Sequence, residues 1–200
     1  MASSSDNWDP FVLLLIDVQK DFWEDGMSST LADYETSVGN LLSFCRQEQL
    51  DIVHLRAAFR DDKSDWMASY KLAGRIPCIE GTPGADIFPC ASERTDEKVI
   101  MKQTFDGFHN PALQDYLQAN DKKFVLVAGL VTSVCVLLTA ASAAQRGYLV
   151  GLVEDCCADT IDAHQNTLDG YPFVFCRTQS DRLATDRKQW LFYLQKLANV

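Results

Sequence analysis

Short apolar runs separated by amphipathic segments constrain the fold of this chain more than any other feature. The run Phe11-Val12-Leu13-Leu14-Leu15-Ile16 carries no polar residue on either face, as a strand covered on both sides of a parallel sheet requires. Further strands are expected over 51–56, 98–101, 124–128, 148–153 and 173–176. Between them lie segments with helical spacing. Val38, Leu41, Leu42 and Cys45 share one face of 36–49. A helix over 111–119 has Asn110 as its N-cap and Pro111 at its first position. Helices are also expected over 134–146, stopped by Gly147, over 160–169 and over 183–197. Strands alternating with helices imply an open parallel sheet with helices on both faces. Ligands in such sheets sit beyond the carboxyl ends of the strands. The stretch 57–97 contains Gly74, Pro77, Gly81, Pro83, Gly84 and Pro89 and is expected to be irregular. A loop of that length in a compact domain usually carries function.

At 200 residues and 47% hydrophobic content the chain suits one domain with a sizeable core. That domain is expected over 10–200, behind a disordered tail at 1–9. The formal charge is −10, from 28 acidic and 18 basic residues, with no Lys/Arg block. Nucleic acid and anionic membrane surfaces are therefore not expected partners. The first nine residues lack a basic n-region, and 11–16 is too short to span a bilayer. A cytoplasmic protein is expected, with export by an unconventional route left open. Seven cysteines, an odd number without any C-x-x-C spacing, fit reduced thiols rather than a disulfide framework. The vicinal pair Cys156-Cys157 falls near an expected strand end and reads as structural.

Three reactive residues lie just past three different strands. Asp17 follows 11–16, Lys102 follows 98–101, and Cys135 follows 124–128 and a turn of small residues. Cys135 is placed in the first turn of a helix, where the dipole and free backbone N–H groups favour a thiolate. Each residue alone has a plain reading: a capping carboxylate, a solvated lysine, a thiol filling an apolar gap. Together they supply what a cysteine nucleophile needs, a base for its proton and a cation to hold charge.

The segment Leu15-Ile16-Asp17-Val18-Gln19-Lys20-Asp21-Phe22 resembles the opening motif of the isochorismatase-like cysteine hydrolase superfamily. Glu80-Gly81-Thr82-Pro83-Gly84-Ala85 with Val99-Ile100-Met101-Lys102 resembles its middle block. Ala128-Gly129-Leu130-Val131-Thr132-Ser133-Val134-Cys135 resembles its nucleophile block, and Val153-Glu154-Asp155-Cys156-Cys157-Ala158 the next strand end. The resemblance runs over residues 11 to 180. It implies a three-layer α/β/α fold with a six-stranded, mostly parallel sheet, and an Asp–Lys–Cys triad. Asp17 is then the general base, Lys102 its electrostatic partner and Cys135 the nucleophile. The resemblance also implies a non-proline cis peptide at Leu130–Val131 and an oxyanion hole from the N–H groups of Val131 and Cys135. Ser133, Ser142 and Cys156 depart from the family pattern at positions that bear on substrate more than on fold.

Nicotinamidases of this family hold a metal through an Asp, a His two residues on and a further His after the second strand. Ala57 and Phe59 stand at the first two of those positions here. Neither a metal nor a cofactor is expected. Two chemistries remain for a small-molecule substrate: hydrolysis of an amide or carbamoyl C–N bond through a Cys135 acyl-enzyme, or vinyl ether cleavage of isochorismate by Asp17 and Lys102. The rival of another class is a non-catalytic metabolite- or protein-binding member of the fold. Gln19, Phe22 and Trp23 are expected to line the pocket, and Arg56 to clamp a substrate carboxylate. Phe105 and Phe108 divide between pocket wall and core. Thr132 and Ser133 either contact substrate or cap the helix that bears Cys135. His109 and His164 read as incidental. A homo-oligomer is expected, with Trp190, Leu191, Tyr193, Leu194 and Leu197 as a stripe on the last helix.

Overall fold

The computed structural model describes residues 8–199. Six strands form one sheet: β1 (Phe11–Ile16), β2 (Asp51–Ala57), β3 (Lys98–Lys102), β4 (Phe124–Leu130), β5 (Leu149–Ala158) and β6 (Cys176–Thr178). Their order is β3-β2-β1-β4-β5-β6, and every neighbouring pair is parallel. Helices α1 (Leu31–Gln47), α2 (Ala68–Ala73), α3 (Pro111–Ala119), α4 (Leu137–Gln145), α5 (Ile161–Gly170) and α6 (Leu183–Leu197) complete a three-layer α/β/α domain. The unbroken apolar run of β1 is explained by its central place, where every side chain is buried.

The order fixes where a ligand can sit. From β1 the chain winds outward to β2 and β3, then returns to the other side of β1 for β4, β5 and β6. The direction reverses between β1 and β4, so a crevice opens beyond their carboxyl ends. Asp17 and the turn leading to Cys135 lie there.

Several boundaries differ from the sequence reading. Helix α1 begins at Leu31, because the Thr30 hydroxyl accepts a hydrogen bond from Asp33 N–H and caps it. Its apolar face opens with the fully buried Tyr34. Strand β5 continues five residues past the expected end at 153. Glu154 pairs with Arg177, and Asp155 accepts from Ser180 N–H, so polar residues stay within a paired strand. Cys156 and Cys157 are thus buried inside β5. Strand β6 starts at Cys176 rather than at 173, and Phe173 is exposed. The stretch 57–97 includes one short helix, α2, and 3-10 turns at Pro83–Ala85 and Pro89–Ala91. Of the expected tail, residues 1–7 lie outside the described residues. Trp8 belongs to the core, edge-on to Phe11 and Phe44. On α6, Trp190 packs on Phe11 and Phe124, whereas Tyr193 and Leu197 are exposed. No helix among the described residues is long and apolar enough to cross a membrane.

A tight backbone approach in the sheet lies beside the crevice. Gly129 adopts φ +128°, and a Cβ built there lies 1.9 Å from the Ile16 carbonyl oxygen. Both the conformation and the space exclude a side chain. Gly129→Ala is therefore expected to lower stability by more than about 4 kcal/mol, outside the usual range of single substitutions. A urea midpoint close to wild type contradicts this packing.

Candidate active site

Asp17 is the first residue after β1. Its backbone takes a left-handed conformation, φ +50°, and its N–H still donates to Leu55 O at 2.8 Å. The carboxylate is fully buried and lies 2.6 Å from Lys102 Nζ. Lys102 closes β3, two strands away, with Ala57 as its register partner on β2. A small residue at that position leaves room for the lysine to reach across β2. Its ammonium also donates to Thr104 O at 2.9 Å and approaches Cys135 Sγ at 3.6 Å. Residues read from three strand ends thus meet at one point.

The turn carrying Cys135 follows the cis Leu130–Val131 peptide. Val136 N–H donates to Val131 O at 3.3 Å, and Leu137 N–H donates to Thr132 O. These i to i+5 bonds make Thr132–Val136 one turn of π-helix, which runs directly into α4. Such turns recur at functional sites. Polar groups outside the turn hold it. Ser133 donates to Asp159 Oδ2 through its N–H at 2.9 Å and its hydroxyl at 2.6 Å. The Thr132 hydroxyl pairs with His164 Nδ1 at 2.8 Å.

Electrostatics correct one expectation. Burial pushes the Cys135 thiol well above its ordinary value, and the Asp17 carboxylate pushes it further in the same direction. Both outweigh Lys102, which pulls it down. The shift favours the neutral thiol over the thiolate expected at a helix start. Burial likewise raises Asp17 against the opposing pull of Lys102. Burial disfavours the charged Lys102, but the Asp17 charge and the hydrogen bonds to Asp17 and Cys135 prevail and hold it above the usual lysine value.

A cavity of about 670 Å³ opens onto Cys135. Phe22, Tyr70, Ile76, Phe105, Val131 and Val134 supply apolar wall, and Asp21, Glu24, Arg75 and Asp159 supply charge. Of the expected pocket residues, Phe22 and Phe105 are here and the others are not. Gln19 spends its amide on backbone: Nε2 donates to Ala57 O and Ala85 O, and Oε1 accepts from Ala57 N–H, each at 2.9 Å. It ties the Asp17 segment to the end of β2. Trp23 packs on Tyr34 and Phe88. Arg56 turns to Glu93 and does not line the cavity at Cys135. Phe108 is core, stacked on Tyr148 beneath Arg146. Thr132 is fully buried toward His164. Tyr70, Arg75 and Asp159 escaped the sequence reading. Helix α2 buries none of its residues, so it has no apolar face to mark it, and Asp159 sits past a strand expected to end at 153.

The residues after β2 do not fit a metal. Ala57 and Phe59 are buried and have no donor atom. The spacing Asp162-Ala163-His164 does occur, but it lies on α5, where His164 already bonds Thr132. Among the described residues no group of three or more His, Cys, Asp or Glu is placed to hold an ion.

Comparison with known proteins bears on the family and the fold. The isochorismatase domain matches residues 11–180. The secreted isochorismatase effector Isc1 of Verticillium dahliae is 29% identical over 159 residues, covering 79% of this chain and 75% of that protein. The nicotinamidase/pyrazinamidase of Mycobacterium tuberculosis is 28% identical over 166 residues, covering 74% and 88%. Among solved structures, N-carbamoylsarcosine amidase from Thermoplasma acidophilum gives a TM-score of 0.71 at 25% identity, over 86% of this chain and 96% of that one.

A neutral resting thiol has a direct consequence. At pH 7 iodoacetamide should label Cys135 no faster than the exposed Cys176, and its rate should rise only above the ordinary thiol range. Residue-resolved mass spectrometry across pH measures both. Preferential labelling of Cys135 at pH 7 contradicts the electrostatic account.

Proposed function

Because this chain belongs to the isochorismatase family of hydrolases, we propose that it hydrolyses a C–N bond in a small amide or carbamoyl compound, without a metal, through Asp17, Lys102 and Cys135. The observation that carries this reading is the Cys135 thiol on the cavity wall, 3.6 Å from a lysine that is itself paired with a buried carboxylate. As Sγ attacks the substrate carbonyl carbon, Asp17 takes the thiol proton. Its raised affinity for protons suits that step. The N–H groups of Val131 and Cys135 receive the developing oxyanion. Val134 and Val136 N–H are already given to the Val131 carbonyl. The C–N bond then breaks, the nitrogen leaves with the proton from Asp17, and a thioester remains. Water adds to the thioester with Asp17 as base, the C–S bond breaks, and the thiol is regenerated with release of the acid. Lys102 holds Asp17 ionised and oriented between the two halves.

A second reading, vinyl ether cleavage of isochorismate, has its own support. A relative of 29% identity is named as an isochorismatase effector, and a carboxyl raised by burial can deliver a proton to carbon. Turnover of Cys135→Ala separates the two. C–N hydrolysis is expected to fall at least about 10³-fold. Vinyl ether cleavage is expected to survive the same change. Full amide turnover in Cys135→Ala contradicts the acyl-enzyme.

The pH dependence follows from Asp17. The base must be ionised, and its folded-state affinity for protons is raised. Activity is therefore present above that raised value and lost as pH falls through it. The acidic limb of kcat/KM is expected above the ordinary carboxylate range near pH 4. Asp17→Asn should abolish turnover. It also leaves Lys102 charged and unpaired, at a cost of about 3–5 kcal/mol. An acidic limb at or below pH 4 contradicts Asp17 as the base.

A further inference from the structure

The π-turn that bears Cys135 has two polar side chains, and the structure turns neither toward the cavity. Ser133 is taken by Asp159, at the start of the segment after β5. Thr132 is taken by His164, one turn into α5. The two anchors are themselves linked. Thr160 N–H donates to Asp159 Oδ1 at 2.7 Å, and His164 N–H donates to Thr160 O at 2.8 Å. Asp159 also accepts from Ser28 N–H through its carbonyl at 2.6 Å, and Met27 pairs with Thr160. This second layer joins the nucleophile's turn to the loop that forms one cavity wall.

A π-turn is wider than the α-helix it leads into and is less favourable for an isolated segment. Left alone, 132–136 gains by tightening to the register of α4. Tightening rotates residue 135 about the helix axis and carries Sγ away from Lys102 and Asp17. We infer that Asp159 and His164 are positioning residues for Cys135, gripping the π-turn at Ser133 and Thr132 and holding the thiol against the Asp17–Lys102 pair. Neither needs to touch the substrate to do this. The inference rests on Cys135 being the reacting group, but its grip is measurable without turnover.

The test is the pH profile of Cys135 alkylation by iodoacetamide, resolved by residue, in the intact chain. Releasing the turn takes Sγ out of its buried place beside Asp17. The alkylation midpoint is then expected to fall toward that of an ordinary thiol by about one pH unit or more, while Cys176 stays unchanged. His164→Leu should show this shift. His164→Asn, which keeps a polar atom at the δ position, should restore the wild-type profile. His164 is pushed below its ordinary value by burial, so the leucine variant changes no charge at neutral pH. The groups facing this ring are Asp159, Glu154 and Arg177, all retained. Asp159→Asn should act in the same direction. If that variant fails to fold, the His164 pair decides alone. With an amide substrate, kcat should drop about tenfold or more at nearly constant KM. An unshifted midpoint in His164→Leu overturns the inference. So does a KM effect alone in Asp159→Asn, which makes Asp159 a substrate contact. Failure of the nucleophile reading shows separately, as activity retained in Cys135→Ala.

Discussion

The buried ion pair between Asp17 and Lys102 is the constraint on which the rest of the site depends. Both groups are all but removed from solvent, and they meet at 2.6 Å. Burying either charge alone costs several kcal/mol, and the pair recovers that cost only when its geometry holds. The geometry spans three strands, because Lys102 must pass over Ala57 to reach Asp17. Register between β1, β2 and β3 is therefore part of the chemistry. Gln19 ties the segment after β1 to the end of β2 and to the Pro83–Ala85 turn with three hydrogen bonds on Ala57 and Ala85. The Cys135 thiol is set against this pair, 3.6 Å from Lys102 Nζ.

That arrangement changes how the cysteine is understood. A thiol in a helix's first turn is ordinarily made acidic by the dipole and free N–H groups. Here the turn is a π-turn whose N–H groups are partly spent on Val131 O and Thr132 O, and the sulfur is buried beside a carboxylate. Burial and like charge win over the dipole. In the proposed mechanism the thiol gives up its proton only as it attacks the substrate carbonyl.

How much was legible in the sequence follows from which physical signals are local. The apolar runs mark the strands; Asp17 and Lys102 are the first polar residues after theirs, and Cys135 follows the turn of small residues after its own, so all three were in view. Side-chain direction was not. Arg56 and Ala57 are neighbours on β2, and successive residues point to opposite faces. Arg56 therefore meets Glu93 while Ala57 sits beside the site. Gln19 and Thr132 carry groups fit to bind a ligand, yet tertiary partners far along the chain claim them first. The missed wall residue Tyr70 comes from a helix without a buried face, the case in which periodicity is silent, and Arg75 lies just past its end. Strand β5 read short because Glu154 and Asp155 interrupt its apolar pattern, although each finds a partner.

The central claim is that Cys135 forms a covalent bond to the substrate's carbonyl carbon. Intact-protein mass spectrometry of acid-quenched reactions, over a panel of small amides and carbamoyl compounds, tests it most directly. The account predicts a transient mass increase equal to the acyl group, mapped by digestion to the peptide holding Cys135 and lost with the product's rate of formation. Turnover of a C–N substrate with no adduct on Cys135, at any quench time, contradicts it.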